Sequence, residues 1–200
     1  MPGRGIMPLV VAILLAGCVA TAPDDAPSLD RQAAPPVLGP DEHARIAALT
    51  DAIAALGPGV DREEAARAAH IAVAYPLELA VRYRIEDPPL VHNMKVNMGS
   101  KPRGLCKDWA DDLEARLRQE RFRTLGLHRA IANADTILID HSTVIVSRRG
   151  GDMHDGIVLD PWRQGGGRLF WSPVRSDPRY RWVPRAEVFE MRRAREARGR

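Results

Sequence analysis

Apolar residues recur every three or four positions in the first third of the chain, and this spacing predicts helices. After Asp41 the apolar positions Ile46, Leu49, Ile53 and Leu56 fall on one face of a 3.6-residue period. The turn-forming residues at 57–59, Gly-Pro-Gly, end the pattern. The chain is therefore expected to begin its folded part with an amphipathic helix.

A second helix is predicted after this turn. Asp61 followed by Glu64 is typical of a helix N-terminus, and an alanine-rich segment extends from there to Leu79. Pro76 falls inside the segment and is expected to kink it. Pro88-Pro89 is expected to end the helical half of the chain.

The pattern changes from helical to strand-like after a further helix predicted within residues 104–121, where Trp109, Leu113 and Leu117 share one side. Short β-branched or aromatic segments bounded by Gly, Pro and Asp follow, and they predict strands. The predicted strands are 136–139, 142–147, 156–159, 168–171 and 181–183. A terminal helix is predicted over 184–196. Helices followed by strands predict an α+β domain, with a helical N-terminal half packed on an antiparallel β-sheet.

The first seventeen residues have the pattern of a secretion signal. Arg4 precedes an apolar run from Ile6 to Leu15, about half the length that crosses a bilayer and typical of a signal peptide. The run ends in Leu-Ala-Gly-Cys18, which resembles the lipobox of bacterial lipoproteins. That resemblance implies cleavage before Cys18, a diacylglycerol on its sulfur and an acyl chain on its new amino group. The alternative is an ordinary secretory signal with a buried cysteine.

The same resemblance places the protein in the bacterial cell envelope, anchored by lipid and facing the periplasm. Val19, rather than Asp, follows the cysteine, which by the lipoprotein sorting rule favours the outer membrane. Residues 18–40 are rich in Pro, Ala and Asp without a hydrophobic period, as expected of a tether. The folded domain is assigned to 41–190 and an Arg-rich tail to 191–200.

Charge is concentrated at the end of the chain. Of the 29 basic residues, one is Arg4 and five lie in the tail, which also holds Glu196, one of the 26 acidic residues. Residues 18–190 therefore hold 23 basic and 25 acidic side chains, a net charge of −2. This balance argues against a nucleic-acid-binding body.

Cys106 is the second of two cysteines and, if Cys18 is acylated, the one free thiol. A lone thiol in the oxidising periplasm is either buried and inert or kept for its reactivity. Gly104-Leu105-Cys106 lies where a loop enters the predicted helix, and the free N–H groups and dipole of a helix N-terminus stabilise a thiolate. We therefore predict that Cys106 is a nucleophile.

A nucleophilic thiol needs a base and a group that orients the base. His141 precedes one predicted strand, and Asp160 ends another. If these strands are neighbours, the carboxylate can hold the imidazole in the useful tautomer. The order Cys106, His141, Asp160 predicts a catalytic triad, although each residue alone would fit a structural role.

This segment, roughly Asn97 to Trp162, resembles the transglutaminase-like branch of the papain-like cysteine enzymes. The resemblance rests on the Cys at a helix start before the Trp109-Ala110 pair, the His that opens a strand, and Leu159-Asp160-Pro161. It implies a papain-like core, thioester chemistry at Cys106, and no cofactor. The sequence departs from many relatives at Thr143, where they have an aromatic residue.

The resemblance also implies a polar side chain upstream of the nucleophile that completes an oxyanion site. His92, Asn93 and Asn97 lie in the expected stretch, and Asn97 is preferred, the alternative being a turn residue that caps the loop.

The expected activity is attack of Cys106 on the amide bond of a peptide, a protein or peptidoglycan, with hydrolysis favoured over transfer to an amine. The alternatives are a non-catalytic binding or scaffold lipoprotein with the same fold, and a structural lipoprotein tethered to peptidoglycan. No Cys-x₂-Cys pair and no pair of His four residues apart is present, so a metal site is not expected. Trp162, Trp171 and Trp182 are interpreted as sheet core.

Overall fold

The computed structural model describes residues 37–134 and 140–199. Its helices and strands follow one another with the bounds α1 Pro40–Ala54, α2 Arg62–Arg82, α3 Pro89–Asn97, α4 Cys106–Gln119, β1 Leu125–Ala132, β2 His141–Arg148, β3 Ile157–Asp160, β4 Phe170–Pro173, β5 Val183–Pro184 and α5 Arg185–Arg198. The five strands form one antiparallel sheet in the order β4-β3-β2-β1-β5. The predicted α+β class, with helices before an antiparallel sheet, is confirmed.

The sheet separates two apolar clusters because successive side chains of a strand point to opposite faces. In β2, Val144 and Val146 pack with the helices α1, α2 and α4, whereas Ile145 packs on the opposite face with Tyr180 and Trp182. The central strands are therefore buried on both faces. Packing from both sides holds these strands, and the residues at their ends, in place.

A buried carboxylate ties α2 to the start of the sheet. Asp61 caps α2 by accepting from the backbone N–H groups of Glu63 and Glu64. Glu64, buried in the same turn, accepts hydrogen bonds from the backbone N–H groups of Arg123 and Thr124 at 2.8 Å. These bonds lower the pKa of Glu64 although burial opposes the shift, so the helix and the sheet are joined by a charged group.

One sequence-based expectation about elements was wrong, and one strand was missed. Pro89 begins α3 instead of ending the helical half, because the first position of a helix does not need the N–H that proline lacks. β1 was not predicted, since Gly126, His128 and Arg129 interrupt its apolar pattern. The strand predicted at 136–139 lies outside the described residues.

The N-terminal predictions also lie largely outside the described part of the chain. The predicted signal peptide at 1–17, the predicted lipidation site Cys18 and most of the predicted tether precede residue 37. Within 37–134 and 140–199, no helix has the length and apolar character needed to cross a membrane.

At the C-terminal end, α5 runs to Arg198, so the segment assigned as a tail is largely helical.

Candidate active site

Cys106 is the first residue of α4, and the loop before it is tightly anchored. Asp108 accepts hydrogen bonds from the backbone N–H groups of Gly104 and Leu105, at 3.1 and 3.0 Å. The indole N–H of Trp109 donates to the Gly104 carbonyl at 2.9 Å. The helix start is thus fixed from within its own first turn, which sets the direction of the Cys106 side chain.

Gly104 allows the chain to make this turn. Its φ of +126° is a conformation that other residues rarely adopt, and a Cβ there would lie 2.5 Å from Nε2 of His92. His92 is buried and donates from Nε2 to the Arg103 carbonyl at 2.8 Å. His92 therefore packs beneath the loop that presents the thiol.

His141 and Asp160 are brought together by the pairing of neighbouring strands. His141 is the first residue of β2 and Asp160 the last of β3, and these strands are antiparallel partners. Nε2–H of His141 donates to Oδ2 of Asp160 at 2.7 Å, and both residues are buried. This leaves Nδ1 as the ring nitrogen available to Cys106.

The imidazole of His141 carries a raised pKa. Burial by itself lowers the pKa, but hydrogen bonds with Asp160 and with the Cys106 thiol outweigh burial and raise the pKa of His141 to about 9. At neutral pH the ring is therefore protonated. The half-buried Cys106 also contacts the Asp140 carbonyl, with 3.8 Å between sulfur and oxygen.

Three aromatic rings enclose the His141 imidazole. The ring centroids of Trp162, Tyr180 and Trp182 lie 4.9, 4.8 and 5.6 Å from it. Trp182 belongs to the core cluster on one face of the sheet, as the sequence suggested, but it also packs against the triad. The rings limit the access of water to the imidazole and restrict its rotation.

Asp160 accepts four hydrogen bonds, which hold its carboxylate in one orientation. Oδ1 accepts from the backbone N–H groups of Trp162 and Arg163, both at 3.2 Å. Oδ2 accepts from His141 and from Nε of Arg163 at 2.9 Å. Sequence reasoning did not identify Arg163, because an arginine in a Gly-rich loop gives no signal of a buried contact.

A cavity of about 390 Å³ opens beside Cys106. It lies between α3 and α5 and has polar, charged and apolar walls. Its lining residues are Asn93, Asn97, Leu105, Cys106, Lys107, Asp111, Arg129, Ile131, Asp140, Ser142, Arg185 and Phe189. The cavity gives a ligand access to the sulfur from the side of the helix N-terminus.

Both asparagines considered from the sequence line this cavity, but they differ in how firmly they are held. Asn97 is exposed at the end of α3. Asn93 is half-buried, and its Oδ1 accepts from the indole N–H of Trp162 at 3.1 Å. Because its oxygen accepts from Trp162, a hydrogen bond from the Asn93 amide to a ligand in the cavity would be donated by its NH₂ group.

The other histidines of the sheet region do not line the cavity. His128 lies in β1 and bonds to Ser147 at 2.7 Å, and His154 pairs with Asp152 at a loop. In the parts of the chain that the structure describes, no three His, Cys, Asp or Glu side chains are grouped as a metal would require.

Comparison with family models, with curated proteins and with solved structures found no match to this chain. The α+β architecture and the geometry above therefore stand on their own. The likeness to transglutaminase-like enzymes remains a hypothesis from the sequence.

Proposed function

We propose that this protein is a lipid-anchored enzyme of the bacterial cell envelope, with a transglutaminase-like fold, that hydrolyses an amide or peptide bond through a thioester on Cys106. The observation that carries the proposal is the position of His141, which donates a hydrogen bond to the buried Asp160 and whose pKa is raised by both Asp160 and Cys106. A purely structural thiol would not need a buried, protonated imidazole beside it.

The first half of the reaction forms the thioester. The sulfur of Cys106, as thiolate, attacks the carbonyl carbon of the substrate amide and forms a C–S bond. His141 then gives its proton to the departing nitrogen, the C–N bond breaks and the amine leaves. Asp160 keeps the ring in the tautomer that this transfer requires.

The second half releases the acid. His141, now neutral, takes a proton from a water molecule whose oxygen attacks the thioester carbon. The C–S bond breaks, the carboxylic acid leaves, and the thiolate and the imidazolium are restored. Water is favoured over an amine as the acceptor because the cavity is accessible and water is far more abundant.

The tetrahedral intermediate places negative charge on the former carbonyl oxygen. The backbone N–H of Cys106 at the start of α4 is suited to stabilise this charge. Asn93 and Asn97 are the side-chain candidates on the cavity wall. Asn93 is the better one, because the bond from Trp162 already fixes its amide.

The substrate is expected to be a peptide, a protein or a peptidoglycan-type amide. The mixed walls of the cavity, with Arg129, Arg185 and Asp111 among them, suit a polar acyl donor. A lipid on Cys18 would keep the enzyme next to the cell wall and other envelope proteins.

The rate of Cys106 alkylation by iodoacetamide across pH 5–9 tests this proposal. An ordinary cysteine is less than about 1% ionised at pH 6, so its alkylation is slow there. A thiol paired with the His141 imidazolium should still react, whereas His141→Ala should slow alkylation at pH 6 by about tenfold or more.

His128→Ala is the matched control, because His128 lies in the same sheet but does not line the cavity. It should leave the pH profile unchanged. If wild type and His141→Ala give the same profile, Cys106 is not activated and the protein is better described as a non-catalytic scaffold.

A further inference from the structure

Behind Asp160 lies a second, buried ion pair that the triad itself does not include. The guanidinium of Arg163 donates from Nη1 and Nη2 to the two carboxylate oxygens of Asp177, at 2.9 and 2.8 Å. The same guanidinium donates from Nε to Asp160 at 2.9 Å. Arg163 thus bridges the orienting carboxylate of the triad and a second carboxylate.

Arg163 is held by ring contacts as well as by ion pairs. Its guanidinium carbon lies 3.8 Å from the ring centroid of Phe170 and 4.6 Å from that of Tyr180. A planar guanidinium in contact with two aromatic rings and with two carboxylates has little freedom to move. The position of its Nε–H, and so of the Asp160 oxygen that accepts from it, is thereby fixed.

Asp177 in turn organises the rings that enclose His141. It accepts from the backbone N–H groups of Arg179 and Tyr180 at 2.9 and 3.2 Å, and from the indole N–H of Trp182 at 2.9 Å. Tyr180 and Trp182 are two of the three rings around the imidazole. One carboxylate therefore holds both the arginine and part of the aromatic enclosure.

We propose that Arg163 and Asp177 are positioning residues of the active site, which hold Asp160 against His141 and keep Tyr180 and Trp182 packed on the imidazole. The consequence for catalysis rests on the proposed function, but the positioning itself can be measured without a substrate. Neither residue lines the cavity beside Cys106, so neither is expected to touch the reacting atoms.

An electrostatic role and a positioning role of Arg163 predict opposite changes in the pKa of His141 when Arg163 is replaced. Removing a cation beside Asp160 and His141 should, by charge alone, make the imidazolium more stable and raise the pKa of His141. If Arg163 acts by holding Asp160, its removal should loosen the bond between Asp160 and His141 and lower that pKa. The direction of the change therefore separates the two roles.

Several titratable or charged groups lie near the His141 ring and can affect its measured pKa. Cys106 at the start of α4, Asp160 at the end of β3 and the phenol of Tyr180 are next to the ring. Arg163 and Asp177 lie behind Asp160. Burial raises the pKa of Tyr180 above its usual value, so the phenol stays neutral while the imidazole titrates.

The experiment is an NMR titration of the His141 ring in the full chain, for wild type, Arg163→Gln and Asp177→Asn. We expect each variant to lower the pKa of His141 by about one pH unit. Asp177→Asn should act in the same direction because it removes an anion and also frees Arg163. Circular dichroism of each variant reports whether the fold is retained.

The control is Asp155→Asn, which breaks the exposed pair between Arg175 and Asp155. It should not move the His141 titration. If Arg163→Gln does not fold, Arg163→Lys takes its place, since a lysine keeps the charge but its single ammonium does not reproduce the fork that bridges two carboxylates.

A rise or no change of the His141 pKa in Arg163→Gln overturns the proposal, as does an equal shift in Asp155→Asn. For Arg163→Lys, an unchanged pKa overturns it. These outcomes are independent of catalysis. If the pKa falls as expected but Cys106 never forms an acyl adduct, the positioning role stands and the proposed enzyme activity fails.

Discussion

At the scale of single residues, the buried charge on His141 links the site to the stability of the fold. Its pKa is raised from 6.5 to about 9 by Asp160 and Cys106, despite burial. A group whose folded pKa lies above its unfolded pKa stabilises the fold fully below the unfolded value. That contribution is lost as the pH rises through the folded value.

We therefore predict that the stabilisation due to His141 is complete below about pH 6.5 and falls as the pH approaches 9. A shift of this size corresponds to about 3 kcal/mol. The free energy of unfolding of wild type and His141→Gln, measured by urea denaturation from pH 6 to pH 9.5, checks this. The advantage of wild type should shrink across the range, and parallel curves would contradict the assignment of a buried imidazolium.

The sequence selected three residues that the structure places at one site, but it gave no sign of Arg163 and Asp177, which pack against Asp160 and against the rings around His141. Cys106, His141 and Asp160 were selected by residue type, order and their places at element ends, and the structure brings all three together. Arg163 and Asp177 were not identified, because their roles depend on contacts between loops that have no periodic pattern.

At the scale of elements, the junction between the α3–α4 loop and α4 determines the orientation of the Cys106 side chain. Gly104 has a positive φ, and a Cβ at this position would meet the ring of His92, so a larger residue is strained here. Its carbonyl accepts from Trp109 and its N–H donates to Asp108. Any change in its backbone would therefore move the first turn of the helix.

Gly104→Ala is predicted to destabilise the fold by about 1 kcal/mol or more and to slow alkylation of Cys106 at pH 6. The reason is that a Cβ at this site meets the ring of His92 and the required φ is strained. Gly59→Ala is a suitable comparison, since a Cβ there meets nothing within 4 Å and its φ is not in the strained range. Equal effects of the two substitutions would show that the junction has no special role.

Prediction of the elements succeeded where apolar spacing dominated. α1, α2 and α4 contain the regular spacing expected of helices, and β2 and β3 were predicted within two residues of their bounds. β1 was missed because its polar residues face partners that the sequence does not reveal: His128 bonds to Ser147 and the buried Arg129 bonds to Ser142. Tertiary contacts, rather than local preference, make this segment a strand.

At the scale of the whole molecule, the lipid anchor would decide where the chemistry takes place. Cys18 follows the apolar run and the lipobox-like residues, and acyl chains bind a bilayer by about 0.8 kcal/mol per buried CH₂. If the anchor is present and the sorting rule based on Val19 holds, we expect the domain to lie at the inner surface of the outer membrane, within reach of the cell wall.

We predict that full-length protein expressed in a Gram-negative host incorporates labelled palmitate and partitions into the detergent phase. Cys18→Ser should abolish both properties, because it removes the sulfur that carries the lipid. Cys106→Ser should retain both. Incorporation of palmitate that persists in Cys18→Ser would refute the lipidation site.

A thioester on Cys106 can be observed directly, because acylation changes the mass of the protein. The purified domain is mixed with p-nitrophenyl acetate and followed by intact mass spectrometry with peptide mapping. We predict a single acetyl adduct on Cys106 that forms and then decays in wild type, is absent in Cys106→Ala, and forms much more slowly in His141→Ala. Absence of an adduct at Cys106 in wild type would contradict a nucleophilic role of this thiol, and formation and release of the adduct by His141→Ala at the wild-type rate would contradict a role of His141.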